Sequence, residues 1–236
     1  MLGGIVLATV AALALSLVGV LVWAAVFNQH ESKGPEAPTG TTPHAGHSAT
    51  QATSARQAAS PSPLLAQADP VTACIAEVQA ADAEVAAAAV GIGHWAEHIK
   101  ARTDLLSGAQ PKEVTKAIWK RTREAGPADL TRYDRAVAEH KRSTGACDRA
   151  VKDGDGQQLA TCLQRLRVLQ NAVTTGAAGM ADWRAHQAAM AAHKAGEIDA
   201  AHAQTMWVAA WAAAPKNINA FKTASAAVAT APACRS

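Results

Sequence analysis

Aromatic residues other than tryptophan are almost missing from this chain: one tyrosine and two phenylalanines stand beside six tryptophans in 236 residues. Nor does any stretch alternate β-branched or aromatic residues with polar ones, which argues against a sheet-based architecture. Motifs with fixed chemistry are missing as well. There is no glycine-rich phosphate loop after a strand, no H-E-x-x-H, no G-x-S-x-G and no C-x-x-C-H, so nothing points to nucleotide, zinc-protease, serine-hydrolase or attached-haem chemistry. The paired Glu-x-x-His motifs of di-iron bundles are lacking: Glu97 and His98 are adjacent, and residues 159–236 hold only Asp182, Glu197 and Asp199 as acids. A formal net charge of +3 and a pI of about 8.8 are too mild to imply nucleic acid as a partner. The expectation is a protein that is not an enzyme and carries no cofactor.

Charge is also missing from one end. Ile5 to Phe27 contains no charged residue and is long enough, at about 1.5 Å per residue, to cross a hydrocarbon layer roughly 30 Å thick. Trp23 stands near its end, where an indole suits the headgroup level. A cleaved signal peptide would have a shorter apolar core, a basic segment before it and a small-residue cleavage site after it, so residues 1–27 read as an uncleaved membrane anchor. Residues 28–69 are Ser, Thr, Pro, Gly, Ala and Gln with few large apolar groups, and read as a disordered linker. The high alanine content of the whole chain is of the kind encoded by GC-rich bacterial genomes.

The rest of the chain repeats. Adding 88 takes Cys74 to Cys162, Gly91 to Gly179, Trp95 to Trp183, His98 to His186, Trp119 to Trp207, Pro127 to Pro215 and Tyr133 to Phe221. Cys147 matches Cys234 once a single position is dropped. The domains are therefore a first helical repeat at 70–150 and a second at 157–236. Val71, Cys74, Ile75, Val78 and Val85 recur at helical steps, as do Leu159, Cys162, Leu163, Leu166 and Val173. Gly91 and Gly179 allow a break, Gly108 is a natural C-terminal cap, and Gly126-Pro127 ends a helix begun near Pro111. Four helices per copy follow, so the expected fold is all-α, a tandem pair of up-down four-helix bundles. Trp95, Trp183, Trp119 and Trp207 fill the bundle centres, and His98 and His186 make structural hydrogen bonds to a neighbouring helix, with a ligand role in both copies as the alternative.

Four cysteines allow three pairings. In an up-down bundle the first and last helices meet at one end, which selects Cys74–Cys147 and Cys162–Cys234. Disulfides require an oxidising compartment, so the expected location is a single-pass cell-membrane protein with its C-terminal region extracytoplasmic.

Where the copies differ, function is expected. Residues 71–149 carry 12 Lys/Arg and 11 Asp/Glu, whereas 159–236 carry 7 and 3, so the second copy exposes less charge and suits a protein partner. Trp211, in place of Arg123, is the expected partner contact. Leu105 becomes His193, Val114 becomes His202, Arg102 becomes Met190 and Ile118 becomes Met206. In a hairpin turning near Gly196 these residues, with His186, would form a soft-metal site suited to copper. Scaffolding of a protein partner is the first functional expectation, and copper binding through His193, His202, Met190, Met206 and His186 is the alternative.

Overall fold

The computed structural model describes residues 69–235. The expected anchor, and all of the linker up to residue 68, lie outside the described residues. No described helix is long and apolar enough to cross a membrane. The described region is all-helical, with four long helices, one short one and no strand.

Helix α1 (Pro70–Leu106) opens on two local signals. The Asp69 carboxylate accepts hydrogen bonds from the amides of Val71 at 3.0 Å and Thr72 at 3.2 Å, and Pro70 occupies the first turn, where its missing N–H leaves nothing unpaired. After a turn through Gly108, at φ 74°, α2 (Lys112–Ser143) runs back. Its last turn carries His140, Lys141 and Arg142 against the negative end of the helix dipole. Gly145, at φ 83°, then turns the chain into the short α3 (Ala146–Lys152). Helix α4 (Ala160–Lys194) and helix α5 (Ala200–Thr230) form a second hairpin, with Asp199 capping α5 through the His202 amide at 2.8 Å. The offset of 88 carries Leu106, the end of α1, to Lys194, the end of α4, and Lys112, the start of α2, to Ala200, the start of α5.

The two hairpins share one core, in which Val78, Ile92 and Trp95 of α1 pack with Leu169, Met180 and Trp183 of α4 and with Ile218 and Phe221 of α5. Helix α1 packs against every other helix, and most extensively against α2 and α4. Contacts of Gly91 with Met180, Ile92 with Gly179, and Trp95 with Trp183 show that α1 and α4 run parallel. The result is an up-down-up-down bundle whose short diagonal is the α1–α4 contact.

This corrects the expectation of four helices per copy. Each copy is one hairpin, because both presumed breaks are continuous helix. Gly91 and Gly179 are contact points: a Cβ on Gly91 would stand 2.6 Å from Met180 Sδ, and one on Gly179 would stand 2.7 Å from Ile92 Cδ1. Since 91 and 92 map onto 179 and 180, each copy places a glycine opposite the other's long side chain. The hydrogen atom in place of Cβ brings the two axes together.

Pro127 is equally misleading. A proline inside a helix removes the bond to the carbonyl four residues before it, here that of Arg123. Gln187 of α4 reaches across and donates its side-chain N–H to that carbonyl at 3.4 Å. Gly126 makes room, since a Cβ there would overlap the Gln187 amide. Helix α2 therefore runs through Gly126-Pro127 without ending, and α5 likewise contains Pro215.

The disulfides are Cys74–Cys147 and Cys162–Cys234, and no free cysteine is found among the described residues. Both sit at the end of the bundle where α1 begins and α5 finishes. They fit an oxidising, extracytoplasmic environment for the folded unit. Beside them the copies solve matching problems with opposite charges. Glu77 accepts from the amides of Gly145 at 2.9 Å and Cys147 at 2.8 Å, satisfying the N-terminus of α3. Arg165, 88 positions on, reaches the carbonyls of Val228 in the last turn of α5 and Pro232 just beyond it, and pairs with Asp82 of α1 at 2.6 Å. That bond to Asp82 holds its guanidinium above the usual arginine range.

Candidate functional site

The polar atoms that carry possible chemistry lie in the contact between α1 and α4. Trp95 and Trp183, both fully buried, stack with ring centroids 5.2 Å apart and an interplanar angle of 28°. One turn further on, His98 and His186 face each other across the same seam, Nε2 to Nε2 at 3.2 Å, and are 8% and 6% exposed. Helical spacing of three residues puts each imidazole beside its own tryptophan, and the parallel course of α1 and α4 brings the two sets together. Trp119 of α2 packs beside His98 at 6.0 Å, and Trp207 of α5 beside His186 at 6.4 Å. The Trp119 indole N–H donates to the His98 carbonyl at 3.0 Å.

The proton positions follow from the donors. Thr122 Oγ1 lies 2.8 Å from the Ile118 carbonyl and 2.8 Å from His98 Nδ1; with its single proton donated to the carbonyl, it accepts from His98 Nδ1–H. Burial pushes His98 well below the ordinary imidazole range, with His186 and Arg123 adding to the effect, so His98 is neutral and its Nε2 is an acceptor. His186 Nε2–H is then the donor to it. Burial lowers His186 to about 4, leaving it neutral too, with a lone pair on Nδ1. That buried nitrogen has no hydrogen-bond partner among the described residues.

Around this centre the hairpins are laced by polar pairs that sequence reasoning missed. His94 Nδ1 meets buried Asp129 at 2.7 Å, and at the matching place Asn217 donates to Asp182 at 2.8 Å. The offset itself was the available signal: His94 maps to Asp182 and Asp129 to Asn217, an exchange of roles across one contact. Buried Glu84 meets His140 Nδ1 at 2.7 Å and accepts from the Tyr133 hydroxyl at 3.4 Å. Burial, together with the Glu84 charge, raises Tyr133 to about 12. The second copy replaces this trio with Ala172, Val228 and Phe221, an apolar solution to the same packing.

The expected copper ligands are not brought together as one set. His186 faces inward to His98. His193 Nδ1 lies 3.3 Å from the Ile198 carbonyl, with its ring edge-on to Trp207 at 5.4 Å. Met190 is partly buried against the core, while His202 and Met206 are exposed, Met206 by 40%. Among the described residues no group of three or more His, Cys, Asp or Glu is placed to hold a metal ion. Trp211, the expected partner contact, is engaged inside the molecule. Its indole N–H donates to Thr103 Oγ1 at 3.0 Å, and the Arg102 guanidinium lies 4.8 Å from its ring centre.

Two open grooves mark the surface. One lies between α1 and α5 over Ala96, Ile99, Pro215 and Ile218, and the other lies between α1 and α2 over Ala83, Ala87, Val90 and Ala136. The first has a counterpart between α4 and α2 that is bridged by Arg184–Asp134 at 2.5 Å. The corresponding residues in the open groove are Ala96 and Lys222, which cannot form that bridge. No protein-family description, no curated protein and no solved structure matches this chain.

Proposed function

We propose that this chain is a non-enzymatic, membrane-anchored module whose extracytoplasmic four-helix bundle scaffolds a protein partner. In this reading the uncharged run at 5–27 is the anchor, residues 28–69 are the tether, and the bundle arose by tandem duplication of one helical hairpin. The supporting observation is the outward surface of the second hairpin. Ala181, Ala185 and Ala188 of α4 and Ala209, Ala212 and Ala213 of α5 are exposed, on helices whose central turns carry few charges. The first hairpin, by contrast, displays surface ion pairs such as Lys100–Asp104, Lys120–Glu124 and Arg121–Glu97. A helix face of small uncharged residues loses little hydration on contact and admits a partner helix closely. Trp211 is not part of that surface, because its indole ties α5 to α1.

A photo-crosslinking residue at Ala185 or Ala212 of the full chain, kept in its own membrane, tests the proposal. The expected result is one discrete adduct, lost when Ala188→Glu is added and not formed from Lys120 on α2. Equal labelling from Lys120, or no adduct from either alanine, overturns it.

A further inference from the structure

We propose that the paired imidazoles of His98 and His186, together with the Met190 thioether, form a buried site for a single cuprous ion. The site differs from the set read from the sequence, with which it shares His186 and Met190: it lies on the α1–α4 seam, uses a ligand from each hairpin, and omits His193, His202 and Met206.

The geometry comes first. Two imidazole nitrogens each bound about 2.0 Å from one ion, at angles between tetrahedral and trigonal, stand roughly 3.3–3.5 Å apart. The observed separation of the two Nε2 atoms is 3.2 Å, so opening by a few tenths of an ångström admits the ion. A metal-binding imidazole characteristically donates its other N–H to a fixed acceptor. His98 does so: its Nδ1–H goes to Thr122 Oγ1, which is itself tied to the Ile118 carbonyl. The lone pair on His98 Nε2 is thereby aimed at the seam.

His186 supplies the second nitrogen by tautomerisation. Its proton moves from Nε2 to the buried Nδ1, which has no hydrogen-bond partner among the described residues, and two dative bonds replace one hydrogen bond. No proton leaves the protein and nothing is oxidised or reduced. Met190 lies one helical turn beyond His186 on the same face of α4 and is packed against the core. A thioether beside two imidazoles selects Cu(I) over zinc and other harder ions. The indoles of Trp95 and Trp183 lie 4.7 Å and 6.0 Å from the His186 ring.

The experiment is a titration of the full chain in mild detergent with Cu(I), without oxygen, against a competing chromogenic chelator. The expected result is one ion per chain with tryptophan emission quenched at the first equivalent. X-ray absorption should show two nitrogens and one sulfur around copper. Met190→Leu and Thr122→Val leave both imidazoles and the core volume in place, and each weakens binding at least tenfold. His193→Ala/His202→Ala leaves it unchanged. Loss of binding in that last variant, a copper shell without sulfur, or no uptake by the folded wild-type chain overturns the proposal and assigns the 3.2 Å contact to a plain hydrogen bond. Crosslinking from Ala185 does not depend on copper, so failure of one proposal is distinguishable from failure of the other.

Discussion

At the residue scale, the buried imidazole pair makes stability depend on acid. Both histidines have folded-state values below the ordinary 6.5, and His186 stands at about 4. Below pH 6.5 the unfolded chain therefore binds protons that the folded chain refuses, and stability falls as pH drops toward 4. For His186 alone the loss is on the order of 3 kcal/mol by the time its folded value is reached. Urea midpoints at pH 7 and pH 4.5 should show it, and His98→Leu/His186→Leu should flatten the difference; an equal slope in that variant would assign the effect to carboxylates. The seam glycines give a second residue-scale prediction. Alanine is the better helix former by about 1 kcal/mol, but at Gly179 its methyl would meet Ile92, a β-branched side chain held in the core. Gly179→Ala should cost about 1–3 kcal/mol in chemical denaturation. Gly91→Ala should cost less, because it meets the flexible end of Met180.

At the element scale, the continuity of α2 rests on a side chain from another helix. If Gln187 satisfies the carbonyl freed by Pro127, Gln187→Ala should cost about 1 kcal/mol in the wild-type background. Pro127→Ala restores the internal N–H, should raise the thermal midpoint, and should make Gln187→Ala nearly neutral; additive effects in the double variant would disprove the link. Glu77 plays a comparable part for α3, whose seven residues are too few to hold a helix unaided. Glu77→Ala should free the amides of Gly145 and Cys147 and cost about 1–3 kcal/mol, read from the denaturation midpoint. Neither link was legible in the sequence. Pro127 and Gly126 read locally as a stop, and only a residue 60 positions downstream in a packed neighbour reverses that reading.

At the scale of the whole molecule, stability depends on few large side chains and two staples. Trp95 and Trp183 are 0% exposed, and truncating either to alanine should cost about 3–5 kcal/mol. Each disulfide spans just over 70 residues, with separations of 73 and 72, and contributes roughly 4 kcal/mol in the ideal chain-entropy account. Protein purified without reductant should contain no free thiol, and reduction should lower the thermal midpoint by well over 10 °C for a unit of this size. Cys74→Ser/Cys147→Ser should leave the second staple intact and give an intermediate midpoint. Titratable thiols in the untreated protein would contradict both the pairing and the oxidising compartment it implies.

The residues alone determined the helical class, the 88-residue correspondence and the burial of Trp95 and Trp183, because these follow from periodicity and from counting; the two disulfide pairings follow from the correspondence, although the topology of four helices per copy that selected them was wrong. Helix number was decided only by the tertiary structure: a glycine in a seam and a glycine at a break look alike until the neighbour that fills the missing Cβ is in place. The same holds for Trp211 and for His186. Trp211 was placed by its donor bond to α1, and His186 by a partner from the other hairpin. Both are distances between elements that no pattern along one helix contains.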